Sequence, residues 1–146
     1  MNNITFTEYE IPINEDDINK LENKYEFIFP KDIRAHYLMF NGGSPNKCVI
    51  NQNDKKYVIQ QIIPIKYGID HFEIVYKSLI LDNNIFPKQM IPFAIDPSGD
   101  YYCFSINNES YGNIFIYRGE NYEEKDKALI YISKSYNELL TILEND

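Results

Sequence analysis

NEDDINKLENKYEFIFPKDIRAHYLMFNGG, residues 14–43, carries two helical patterns hinged at Pro30 and closed by Asn41-Gly42-Gly43. Asn14 suits an N-cap, and Asp17, three residues on, suits the reciprocal acid of a capping box, with Ile13 and Ile18 at the flanking staple positions. The first helix is therefore expected to start at Glu15. Ile18, Leu21 and Tyr25 recur at helical spacing, and Glu22 borders their stripe instead of lying opposite it. A carboxylate there is expected to accept hydrogen bonds from loop amides, those near Gly42 and Gly43 being candidates. Pro30 fits the first turn of a second helix, where its missing N–H is harmless. Ile33, Ala35, Tyr37, Leu38, Met39 and Phe40 then predict a helix apolar around most of its circumference, hence central and buried. Asn41 and Gly42 tolerate the left-handed conformation that ends a helix, and Gly43 adds freedom for a sharp exit.

Downstream the periodicity turns strand-like. Cys48–Ile50, a polar turn over Asn51–Asp54 and Tyr57–Ile59 predict a hairpin leading into Ile62-Ile63. Ile69, Phe72, Val75, Tyr76 and Leu79 predict a short third helix. Ile91–Ile95 and Asp100–Ile106 flank Asp96-Pro97-Ser98-Gly99, with proline second and glycine fourth as a tight turn prefers, placing Tyr102, Phe104 and Ile106 on one face. Ile114–Tyr117 and Ala128–Ile132 add strands, and Ser135-Tyr136-Asn137-Glu138 is a capping box before an amphipathic C-terminal helix. The order predicts one domain over residues 1–146, α+β in class, with helices packed on one face of a mostly antiparallel sheet.

Composition narrows function. The chain of 146 residues carries 14 basic and 22 acidic side chains, a net charge of −8. Residues 1–26 and 91–146 are acidic and the middle is mildly basic, a distribution unsuited to tracking phosphates, so no nucleic-acid partner is expected. No apolar run approaches the length of a membrane span, and the N-terminus has no leader-like pattern, so the expected location is cytoplasmic with no membrane partner. Cys48 and Cys103 lie alone in apolar runs and are expected to be free thiols. His71-Phe72-Glu73 lacks the paired cysteines that would complete a zinc site, so neither metal nor cofactor is expected. Asp96 and Asp100 flank the tight turn and are expected to bond its backbone; with only His36 and His71 available, no hydrolytic triad assembles. No catalytic residue is assigned. The 13 tyrosines suit interfaces, because each joins a large ring to a polar tip. Those set among acids are the candidate partner-binding residues: Asp100, Tyr101, Tyr102, Glu109, Tyr111, Glu120, Tyr122, Glu123 and Glu124.

Leu21-Glu22, Phe29-Pro30, Asp32, Asn41-Gly42-Gly43, the hairpin from Ile91-Pro92-Phe93-Ala94 through Gly99-Asp100, and Ser135-Tyr136 with Leu139-Leu140 together resemble the SUKH superfamily along nearly the whole chain. The resemblance makes Glu22, Pro30, Asn41, Gly42, Gly43 and Gly99 structural positions. It departs at Phe29 and Tyr136, where leucine and phenylalanine are more usual, and in the long polar turn Asn51–Lys56. It implies a binding protein without catalysis, chiefly a bacterial immunity protein that occludes a cognate polymorphic toxin, here one expected to be basic. The fungal relatives imply the alternative of a regulatory scaffold.

Overall fold

The computed structural model describes residues 4–84, 86–119 and 128–146; the candidate residues Glu120, Tyr122, Glu123 and Glu124 lie outside them. Helix α1 (Glu15–Tyr25) begins as its sequence requires: Asn14 Oδ1 accepts the Asp17 N–H and Asp17 Oδ2 accepts the Asn14 N–H, both at 3.1 Å. Ile18 and Leu21 are buried beneath it. Glu26, left-handed at φ +57°, ends it.

Glu22 is buried, and its acceptor role holds with different partners from those expected. Oε2 accepts the Phe29 N–H at 2.9 Å and Oε1 receives Arg34 Nη1 at 3.2 Å, so the carboxylate ties α1 to the chain entering the next helix and not to Gly42 or Gly43. Glu22→Ala should lower the free energy of unfolding by about 2 kcal/mol, the order expected when a buried N–H is orphaned, and a urea titration reads this directly.

Helix α2 (Lys31–Met39) starts one residue later than the proline suggested, with Pro30 at the cap position and its carbonyl accepting the Arg34 N–H. It is not buried all round. Ile33, His36 and Tyr37 face the core, whereas Ala35, Leu38 and Met39 are exposed, Met39 at 73%. A nine-residue helix lying on one side of a sheet buries only its i, i+3, i+4 stripe, and the apolar residues outside that stripe have nothing to cover them.

The exit from α2 uses two glycines, Gly42 at φ +91° and Gly43 at φ +103°. A Cβ on Gly42 would stand 2.9 Å from the Ile62 carbonyl oxygen, so both conformation and space exclude a side chain. Asn41 does not take the left-handed conformation expected of it. Its buried amide instead binds two other segments through three hydrogen bonds: Oδ1 accepts the Ile65 N–H at 2.8 Å, and Nδ2 donates to the carbonyls of Ile11 and Lys66 at 2.9 and 3.0 Å.

A two-stranded pair, β1 (Phe6–Thr7) with β2 (Ser44–Pro45), closes over this exit. The hairpin of β3 (Val49–Gln52) and β4 (Lys55–Val58) turns on Asn53 and Asp54 alone, both at positive φ as the tight mirror-image turn demands, so its strands run further than the sequence suggested. The main sheet is antiparallel in the order β5 (Gln61–Ile62), β6 (Met90–Ile95), β7 (Tyr101–Ser105), β8 (Ile114–Tyr117), β9 (Leu129–Ser133). Tyr102 and Phe104 enter the principal core with Phe27, Phe29, Phe72 and Phe93, while Cys103, on the opposite face of β7, joins Phe86, Tyr117 and Ala128 in a smaller cluster. Helix α3 (Phe72–Tyr76) passes into a π-helical turn (Lys77–Asp82), and Ile69, expected at the head of its apolar stripe, precedes it at 89% exposure.

Helix α4 (Tyr136–Ile142) packs Tyr136 and Leu139 inward. Ser135 Oγ accepts the Glu138 N–H, but Glu138 reaches the Lys134 N–H instead of closing the box on Ser135. Glu144 then pairs with Val49, fastening the C-terminal segment to the β3–β4 hairpin.

Candidate protein-docking surface

At one end of the main sheet, Asp96 Oδ1 accepts the N–H groups of Ser98 and Asp100 at 3.0 and 2.8 Å, the turn role expected of it. Arg118 Nη1 lies 2.5 Å from Asp96 Oδ2 and 2.9 Å from Asp100 Oδ2, with its guanidinium 5.4 Å from the Tyr57 ring centroid. Both aspartates are thus committed as acceptors to a cation and to the backbone. Sequence reading missed Arg118, although the β7–β8 register carries the signal: Tyr101 pairs with Tyr117, which sets Asp100 opposite Arg118.

The tyrosines set among acids separate by location. Tyr102 is fully buried and its hydroxyl donates to the Val58 carbonyl at 2.8 Å, so it fastens the β3–β4 hairpin to the sheet and offers no surface to a partner, contrary to the expectation that it binds one. Tyr111 is 45% exposed and donates to the Ile28 carbonyl at 2.6 Å; Glu109 is exposed nearby in sequence. These two follow the end of β7, whereas Asp100 and Tyr101 stand at its start, so roughly 15 Å of strand divides the candidates into two regions.

Tyr101 is half-buried, its ring edge-on to Phe86 at 6.3 Å. Burial and the Asp70 carboxylate push its phenol above the ordinary range, so it remains a neutral donor. With Glu10, Asp70, Ile69 and Ile95 it lines an open cavity of about 500 Å³. Neither Glu10 nor Asp70 takes part in an ion pair among the described residues. By contrast Asp17 is held by Lys66, Glu22 by Arg34, and Glu73 by Lys24 and Lys77, with the Tyr25 hydroxyl donating to Glu73 at 2.6 Å. The Lys24 and Tyr25 hydrogen bonds draw the Glu73 carboxyl down to about 2.

An apolar margin adjoins the cavity. Tyr9, Ile11, Tyr67 and Ile69 are all at least 40% exposed, and the Asn41 amide draws the Ile11 and Lys66 segments together. Gly68, at φ +82°, would place a Cβ 3.5 Å from Glu10 Oε2, which puts the 66–70 loop directly beside that acid. The sequence pattern marked Ile69 only as a helix residue and gave no signal for Tyr9, Glu10, Ile11, Tyr67 or Asp70 as a site, because they come from the strand 1 exit and an irregular loop with no periodic pattern.

No three His, Cys, Asp or Glu side chains among the described residues are arranged to hold a metal, and Glu73, the acid of the His-x-Glu segment, is committed to lysines and a tyrosine. Cys48 and Cys103 are free thiols, and complete burial raises the Cys103 thiol far above its usual range. No helix among the described residues is long and apolar enough to cross a membrane.

The chain is thus an α+β domain in which many acids are held by its own cations and backbone amides, with an acidic cavity and exposed rings left over. The chain belongs to the SMI1/KNR4 family (SUKH-1), whose pattern it matches over residues 12–142. Comparison with curated proteins finds no match.

Proposed function

We propose that the protein is an immunity protein that binds and occludes a basic, cytoplasm-acting toxin domain. Membership of the SUKH-1 family makes binding the parsimonious role, and the observation that carries the reading is the net charge of −8 combined with acids at Glu10, Asp70 and Glu109 that no internal cation neutralises among the described residues. Unneutralised surface acids accelerate encounter with a basic partner, while half-buried rings such as Tyr101 and Tyr111 set the lifetime of the complex. The mechanism is complementarity, with no bond made or broken.

The test is protection. The variable C-terminal domain of a large secreted protein encoded beside this chain should arrest growth when produced alone in the cytoplasm, and production of this chain should restore growth and co-purify the domain. Persistent arrest with both proteins present and folded overturns the proposal. Association should also slow as ionic strength rises, and an association rate indifferent to salt would remove the electrostatic part of it.

A further inference from the structure

The cavity beside Tyr101 combines an open volume of about 500 Å³, uncompensated negative charge and an apolar rim. Glu10 and Asp70 are its charged lining residues and both are acidic; the remaining lining is Gln61 and Gly68 with apolar and aromatic side chains. Its nearest basic neighbour in sequence, Lys66, is already bonded to Asp17 at 3.0 Å. Ile69 stands at the mouth at 89% exposure, and Tyr67 is held at φ +71°, a conformation unfavourable for a bulky side chain. The loop thus presents two large apolar groups to solvent beside the cavity.

We infer that this cavity is the socket for an arginine or lysine side chain of the partner protein, with Glu10 and Asp70 receiving the cation and Ile69 and Tyr67 packing against apolar residues that flank it. This rests on the protein-binding reading above and gives it a place. The occupant follows from charge complementarity. An apolar insert would leave the two carboxylates without a counter-charge, and an anion would be repelled by both. A cation on a long aliphatic stem satisfies the acids with its head while its stem lies along Ile95 and the Tyr101 ring. Arginine fits best, since its planar fork can engage a carboxylate in two hydrogen bonds and stack on an aromatic ring.

The socket can be probed without the toxin. Titrating the blocked peptide acetyl-Leu-Arg-Leu-amide into the labelled protein should produce saturable amide shifts at Gly68, Ile69, Asp70 and Tyr101. Binding should be about tenfold weaker or more, on the order of one hydrogen-bonded charge pair, for the peptide with glutamine in place of arginine and for the double variant Glu10→Gln/Asp70→Asn. That variant should stay folded, because neither side chain makes an internal ion pair. Shifts elsewhere, equal binding of the glutamine peptide, or no binding at millimolar peptide overturns the socket. With the toxin domain as ligand, the double variant and Ile69→Asp should each raise Kd by about tenfold or more, the usual effect of removing an anchor; Kd unchanged in both again overturns it. A toxin domain that fails to bind the intact chain, while the arginine peptide still seats here, overturns the immunity reading and leaves the socket standing.

Discussion

Asn41→Asp should lower stability at neutral pH by about 3–5 kcal/mol, more than Asn41→Ala, and the deficit relative to wild type should shrink as pH falls toward about 4. The substitution alters one atom's chemistry. Asp Oδ1 keeps the Ile65 N–H, but the second oxygen takes the place of Nδ2 and faces the Ile11 and Lys66 carbonyls at about the 2.9–3.0 Å now spanned by hydrogen bonds. Three acceptors then crowd a site where the native residue is 1% exposed. Desolvation and the two carbonyl dipoles both disfavour the charged form, so the folded-state pKa of the new carboxyl is raised. A group raised in the folded state binds more protons there than in the unfolded chain. Its penalty is therefore absent below the unfolded pKa of about 3.9 and grows with pH until the folded pKa is passed. Urea midpoints of both proteins measured across this range would check it; a deficit independent of pH would show that the amide's donors are not what the site requires.

The residues behind this prediction also mark where sequence reading succeeds and stops. Local chemistry was legible: the Asn14–Asp17 box, the glycines after α2 and the Asp96–Gly99 turn are each specified within four residues, and each forms in the structure. Partners across the chain were not. That Asn41 would hold Ile11, Ile65 and Lys66, or that Glu22 would reach Phe29 and Arg34, depends on how the loops stack after the sheet has formed. The tyrosines show the same limit from another side. Tyr101 and Tyr102 are adjacent among similar neighbours, yet strand alternation sends one to a half-exposed cavity and buries the other completely. Composition pointed to tyrosine as a residue type, and only topology could sort which tyrosines reach the surface. The apolar face left on α2 by Leu38 and Met39 has the same origin: helical spacing reports which residues can share a face, while the area a neighbouring element offers decides how many of them are buried.

His36 should make the native protein lose about 2 kcal/mol of stability between about pH 8 and pH 5, and His36→Gln should remove most of that dependence. The ring is buried between two partners, with Nε2 2.9 Å from the Gly42 carbonyl and Nδ1 2.9 Å from the Tyr136 hydroxyl. A carbonyl only accepts, so Nε2 carries the proton and Nδ1 accepts from Tyr136; the neutral ring thereby links α2, the glycine exit and α4. Burial pulls its pKa down to about 4, the Gly42 hydrogen bond resisting part of the shift. Because the unfolded histidine titrates near 6.5, the unfolded chain binds the extra proton first as pH falls, and stability declines from about 6.5 until the folded ring itself protonates near 4. Above about pH 5 Glu73 does not contribute, since it is held down to about 2 and its linkage appears only below the ordinary carboxylate range, and the difference between the native chain and the variant reports His36. Glutamine keeps a donor for Gly42 and an acceptor for Tyr136 without a titrating group. Chemical denaturation of both proteins at successive pH values would therefore give a sloping series for the native chain and a nearly level one for the variant over that interval. Equal slopes would move the acid sensitivity elsewhere. The same geometry bears on binding, because the glycine exit that His36 braces leads directly from Asn41, whose amide positions the Ile11 and Lys66 segments at the margin of the acidic cavity. Acidification that loosens this brace should weaken partner binding in the native chain before it unfolds the domain, and should do so less in His36→Gln.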